Sequence, residues 1–77
     1  MTADHFLDTK GLTCPEPVML LHGAVRDAGV GESIRIEATD PSTERDIPKF
    51  CNFLGHELRR AWRDGDLYLY EVVKGAG

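Results

Sequence analysis

Cys14 stands in the run Thr13-Cys14-Pro15-Glu16-Pro17, and a thiol in that setting can act as a nucleophile. Proline suits the first helical position, and the residue before a proline avoids the helical region. This spacing predicts Cys14 as the N-cap of a helix and Pro15 as its first residue. Pro17 then falls in the first turn, where a missing amide hydrogen removes no helical bond. The free amides and macrodipole of a helix N-terminus favour an anion, and the thiolate is the reactive form of cysteine. Pro15 and Pro17 take away two of those amide donors but stiffen the turn that presents the sulfur, and Glu16 is a like charge that opposes ionisation. A lowered thiol pKa is the expectation. Most free cysteines are small buried hydrophobes, yet core packing does not require so rigid a joint between loop and helix.

The other chemistry-bearing residues do not gather around this thiol in the sequence. His5, His22 and His56 have no metal-ligand spacing with either cysteine, so no metal is expected. No oriented base for a Cys–His hydrolase lies near Cys14, and no glycine loop is built to cradle phosphate. His22 is too far along the helix to touch the sulfur. A lone activated thiol suits sulfur relay or redox exchange better than hydrolysis. Cys51 shares an apolar face with Ile47, Phe50 and Leu54 and reads as core. A bridge between the two cysteines is possible on count alone, with one thiol expected exposed and the other buried.

The elements that must hold Cys14 follow from periodicity. His5 to Thr9 reads as a strand, and Lys10-Gly11-Leu12-Thr13 as a loop. In the first helix Val18, Leu21, Ala24, Val25 and Ala28 form one apolar face, which stops at Ala28-Gly29-Val30-Gly31. Ser33 to Ala38 alternates strictly, the pattern of a half-buried strand. Asp40-Pro41-Ser42-Thr43 is a turn rich in capping residues and leads into a second helix. Pro48 lies early in that helix, which is expected to gain regular hydrogen bonds only beyond it. Glu57 to Arg63 and Leu67 to Lys74 form a hairpin about Asp64-Gly65-Asp66. The order βαβαββ predicts a two-layer α/β (α+β) sandwich, with two helices on one face of a four-stranded mixed sheet.

The chain has 77 residues and reads as one domain, 1–77. With 42% hydrophobic and 29% charged residues it has the profile of an ordinary globule. It holds no apolar run long enough to cross a bilayer, so no membrane partner is expected. Met1-Thr2-Ala3-Asp4-His5 has neither a basic region nor an apolar stretch of a secretory signal, and two unexported cysteines suggest reduced thiols. The expected location is the cytoplasm. A net charge of −4 argues against a phosphate-binding surface. Arg59, Arg60 and Arg63 make the only local basic cluster, and they read as a solvated strand face. No direct nucleic-acid contact is expected.

Passing sulfur between proteins requires a docking surface around the thiol. Met19, His22 and Arg26 share a stripe of the first helix away from its apolar face, and an outward Met is an adaptable contact. Phe53 lies off the apolar face of the second helix and is a further candidate. If Tyr68, Tyr70 and Val72 face the helices, Leu67 and Leu69 face outward, with Trp62 as a possible neighbour in an open patch.

Three segments in order resemble the TusA/SirA family of small sulfur-carrier proteins. They are Leu7 to Met19, with its Cys-Pro-x-Pro core at Cys14 to Pro17, Asp40 to Cys51, and the end with Tyr68, Tyr70 and Lys74-Gly75. The resemblance spans nearly the whole chain and implies the βαβαββ sandwich. It also implies that Cys14 receives sulfane sulfur from a cysteine desulfurase, holds it as a persulfide and passes it to a downstream sulfur-relay protein. In the tRNA branch of the family the route ends in 2-thiouridine at the wobble position. Pyridoxal phosphate belongs to the desulfurase, so this chain needs no cofactor beyond the covalently held sulfur, and a monomer is expected. Thr13 and His22 stand where basic residues are common in close relatives, and Thr39 replaces an acidic one. These differences leave the thiol chemistry intact and bear on partner choice. Other members serve sulfur oxidation, cofactor assembly or selenium metabolism. A regulatory or RNA-binding module and a thiol redox sensor with Cys51 as resolving cysteine are the remaining alternatives.

Overall fold

Alternation in β2 (Ser33–Ala38) sets the two faces of the sheet: Ile34, Ile36 and Ala38 are buried on one, while Arg35 and Glu37 turn to the other. The structure, a computed structural model, describes residues 4–76. β1 (His5–Thr9) pairs parallel to β2, with Thr9 opposite Ala38. β4 (Leu67–Val73) pairs antiparallel to β2, and β3 (Glu57–Asp64) antiparallel to β4, giving the order β1-β2-β4-β3. Two helices, α1 (Glu16–Asp27) and α2 (Thr43–Leu54), pack on one face of this mixed sheet. The predicted element order and two-layer architecture are what the chain adopts.

The core lies between the layers. Leu21, Val25 and Ala28 of the α1 segment meet Ile34, Ile36 and Ala38 of β2, Tyr68, Tyr70 and Val72 of β4, and Ile47, Phe50 and Cys51 of α2. Val18, Ala24 and Leu54, assigned to the apolar faces by spacing, are partly buried at its margin. α2 ends on Gly55, whose φ of 78° lets the chain turn so that the His56 N–H reaches the Cys51 carbonyl at 2.9 Å.

Four expectations are corrected. The N-cap of α1 is Pro15, one residue later than predicted, and the first i→i+4 bond runs from the Met19 N–H to the Pro15 carbonyl. α2 is regular upstream of Pro48: Asp46 N–H already bonds the Ser42 carbonyl at 2.9 Å, because a proline removes only its own donor. The hairpin strand β3 runs on to Asp64, which pairs with Leu67 across a tight Gly65-Asp66 turn. Leu69 faces away from the helices as expected but is only 3% exposed, between its cross-strand neighbours Trp62 and Glu37. The guanidinium groups of Arg60 and Arg35 lie over the Trp62 ring, 4.3 and 5.3 Å from its centroid, and close that part of the outer face.

Alternation along β3 divides the arginine cluster, since Arg60 and Arg63 are three residues apart in unbroken register. Arg60 pairs across from Glu71 on the outer face, whereas Arg63 is opposite Tyr68 and stacks on its ring at 4.5 Å. The three arginines therefore do not form one basic stripe. Among the described residues no helix is long and apolar enough to cross a membrane.

Candidate functional site

β1 and β2 run parallel and end side by side, so the loops that leave their carboxyl ends must lie together. Hydrogen bonds stitch these loops. Gly11 N–H donates to Thr39 Oγ1 at 2.9 Å, and Cys14 N–H donates to Asp40 Oδ2 at 2.6 Å. Asp40 is itself fixed, accepting from Ser42 N–H at 3.1 Å and from the Ser42 hydroxyl at 2.8 Å. Its backbone carbonyl accepts from the Thr43 hydroxyl at 2.8 Å. Cys14, on the loop before α1, is thereby held against the start of α2.

The sulfur of Cys14 is exposed and donates a hydrogen bond to Asp46 Oδ2 at 3.2 Å. It sits at the edge of an open, largely apolar hollow of about 390 Å³, lined by Cys14, Pro15, Val18, Asp46, Lys49, Phe50 and Phe53. Arg45 Nε donates to the other Asp46 oxygen at 3.1 Å. The Cys14–Pro15 peptide bond is cis.

The expectation of a lowered Cys14 pKa is overturned. Its pKa is raised from the ordinary value, first by the hydrogen bond to Asp46, then by partial desolvation and by the negative charges of Asp46 and Asp40. The Ser42 hydroxyl acts weakly in the opposite direction. The sequence spacing put Cys14 at the helix cap, but the residue lies one position outside it, and two acids from the neighbouring loop and helix dominate its surroundings. Hydrogen bonding to Cys14 in turn lowers the Asp46 pKa, helped by Arg45 and Lys49.

The remaining predicted site residues separate into two groups. Pro15 and Phe53 line the hollow with Cys14, and Phe53 is 88% exposed. Glu16 is the exposed first residue of α1, and Pro17 is buried beneath it. Met19, 62% exposed, and the exposed His22 and Arg26 lie along α1 outside the hollow. The His22 ring meets the edge of Phe50, a wall of the hollow, with centroids 4.7 Å apart. Cys51 is buried in the core as expected, and burial pushes its thiol up to about 11. Among the described residues no group of three or more potential ligands is placed to hold a metal.

Sequence reasoning missed Asp40, Asp46 and Lys49. One signal was present: Asp46, Lys49, Phe50 and Phe53 recur at helical spacing and so share a stripe of α2. Nothing in the order of residues says that this stripe faces Cys14.

Three comparisons bear on identity. The family model described as "Sulfurtransferase TusA" matches residues 5–74. The chain is 56% identical over 75 residues to the "Sulfur carrier protein TusA" of Pseudomonas putida, covering 97% of this chain and 94% of that protein. It is 55% identical over 75 residues to the protein of the same name from Pseudomonas aeruginosa, covering 97% and 95%. A SirA-like protein from Desulfitobacterium hafniense has a crystal structure that superposes with a TM-score of 0.82 at 19% identity, over 92% of this chain and 97% of that one, a likeness of fold. With the exposed thiol at the mouth of its hollow and the match running through both strands that position it, the chain belongs to the TusA family of sulfurtransferases.

Proposed function

We propose that Cys14 is the residue on which this TusA-family sulfur carrier bears its cargo. The observation that carries the reading is the contrast between the two thiols. Cys14 is exposed at the rim of an apolar hollow, while Cys51 is buried in the core. Cys14 attacks the terminal sulfur of a persulfide on a cysteine desulfurase. A new S–S bond forms to Cys14, the donor's S–S bond breaks, and the electron pair leaves on the donor sulfur, which takes up the proton that Cys14 gives up. The exchange consumes no oxidant. A second exchange of the same kind hands the sulfur to a cysteine of a downstream relay protein.

The resemblance along nearly the whole chain favours the branch ending in wobble 2-thiouridine of tRNA, with the RNA held by a later component. Met19, His22, Arg26 and Phe53 supply the docking surface in this reading. An exposed aromatic beside the reacting atom can fill a partner's recess, and an outward Met adapts to several partners.

The test is to incubate the reduced protein with a cysteine desulfurase and cysteine, then take intact and peptide masses. One reductant-labile sulfur on the Cys14 peptide, missing in Cys14→Ser, is the expected outcome. Undiminished loading of Cys14→Ser would refute the assignment.

A further inference from the structure

The residue facing the sulfur of Cys14 is an acid, and an acid is a poor neighbour for a thiolate. Asp46 Oδ2 accepts from Sγ at 3.2 Å, and this bond exists only while the sulfur keeps its proton. Arg45 Nε, on the far oxygen, and the nearby Lys49 ammonium keep Asp46 ionised and therefore an acceptor. Asp40 adds a second negative charge from the β2–α2 loop and is held beside Cys14 by accepting its N–H at 2.6 Å. Ser42, the neutral group facing the thiol, donates its hydroxyl to Asp40. From α1 the nearest charge is Glu16, again negative. Asp46 and Asp40 both favour the neutral thiol.

We propose that Asp46 is a positioning residue that keeps Cys14 protonated and fixed at the mouth of the hollow in the free protein, so that a sulfur donor must break the Cys14–Asp46 hydrogen bond before Cys14 can attack. This rests on Cys14 being the sulfur-bearing residue. An exposed, fully ionised thiolate reacts with many electrophiles and oxidants. A sulfur held as a thiol until docking reacts where the partner's own groups displace the carboxylate. The raised pKa of Cys14 is in keeping with this arrangement.

The test needs no partner. The reduced protein is alkylated with iodoacetamide across a neutral-to-alkaline pH series, and the rate at Cys14 is followed by peptide mass. Asp46→Asn keeps size and hydrogen bonding but removes the charge. Its alkylation midpoint is expected to move to lower pH, and Asp46→Glu to return it toward that of the unaltered protein. Each unit of that movement raises the thiolate fraction about tenfold well below the midpoint. The thiolate's own nucleophilicity falls about threefold per unit, so alkylation at neutral pH rises about threefold. Asp46→Ser, which removes the charge with a smaller side chain, serves where Asp46→Asn is poorly folded. Coincident or alkaline-shifted profiles would overturn the proposal. Sulfur loading of the unaltered protein by a desulfurase is read separately, so failure of this proposal and failure of the carrier assignment give different results.

Discussion

The hydroxyls of Tyr70 and Thr43 lie 2.8 Å apart in the interior and join the middle of β4 to the first turn of α2. Thr43 has one hydroxyl hydrogen, and it goes to the Asp40 carbonyl, so Tyr70 is the donor between them. The chain of contacts runs on from Asp40 to the Cys14 amide. The sheet core thus reaches the reactive loop through three consecutive hydrogen bonds.

That relay can be weighed by removing its members. Tyr70→Phe deletes one donor and leaves Thr43 bonded to Asp40, a loss of about 1 kcal/mol. Thr43→Val breaks both bonds and strands the buried Tyr70 hydroxyl, so it should destabilise by about 2 kcal/mol or more. Urea unfolding midpoints check both; equal losses for the two variants would contradict the relay.

Cys51 should matter for packing alone. Cys51→Ala shortens a side chain that is 3% exposed and should lower stability by about 1 kcal/mol, with sulfur loading retained. Its thiol, pushed up to about 11 by burial, should resist alkylation in the folded protein at mildly alkaline pH. Peptide mapping after alkylation, and denaturant titration, read the two effects separately.

Phe53 offers the opposite signature. At 88% exposure it contributes little to the core, so Phe53→Ala should change stability by less than about 0.5 kcal/mol. As a docking anchor it should weaken productive binding of the desulfurase about tenfold, seen as a raised half-saturating concentration with the maximal loading rate little changed. An unaltered saturation curve would remove Phe53 from the interface.

His56 should give the stability curve a step near neutral pH. Burial holds its pKa below the ordinary value of 6.5, with the charges of Lys74 and His22 adding to this, and its Nδ1 accepts the Gly75 N–H at 3.0 Å. The unfolded chain therefore takes up the proton first. This contribution is fully present above pH 6.5 and is lost as pH falls through the lower folded value. Thermal midpoints of the unaltered protein should decline over that window, and His56→Gln should flatten the decline. A second fall is expected below the usual carboxylate range, where Glu32, Asp40 and Asp46, all held below their ordinary values by hydrogen bonds, become protonated.

Gly75 explains part of the Lys74-Gly75 ending. A Cβ built there would overlap the Gly55 carbonyl oxygen, a backbone atom at the α2 cap that cannot swing aside. Gly75→Ala should destabilise by about 1–3 kcal/mol, read from the urea midpoint, while Gly11→Ala, at a position with open space, should be limited to the strain of its φ of 83°.

Much of this molecule was already legible along the chain. Alternation at Ser33–Ala38, the helical spacing of Leu21 and Val25 and of Ile47 and Cys51, and the Asp64-Gly65-Asp66 turn each reflect a local preference tied to a single buried face, so element order and layers could be read from them. Cys14 stood out for a similar reason, since the prolines beside it restrict the backbone without help from distant residues. What sequence alone could not decide was the charge around the sulfur. Asp40 and Asp46 are 26 and 32 residues from Cys14, and they meet it because β1 and β2 run parallel and deliver their loops to one edge. Local spacing favoured a thiol poised at a helix cap. Tertiary pairing set it one residue outside the cap against two carboxylates, whose hydrogen bond and charge raise its pKa.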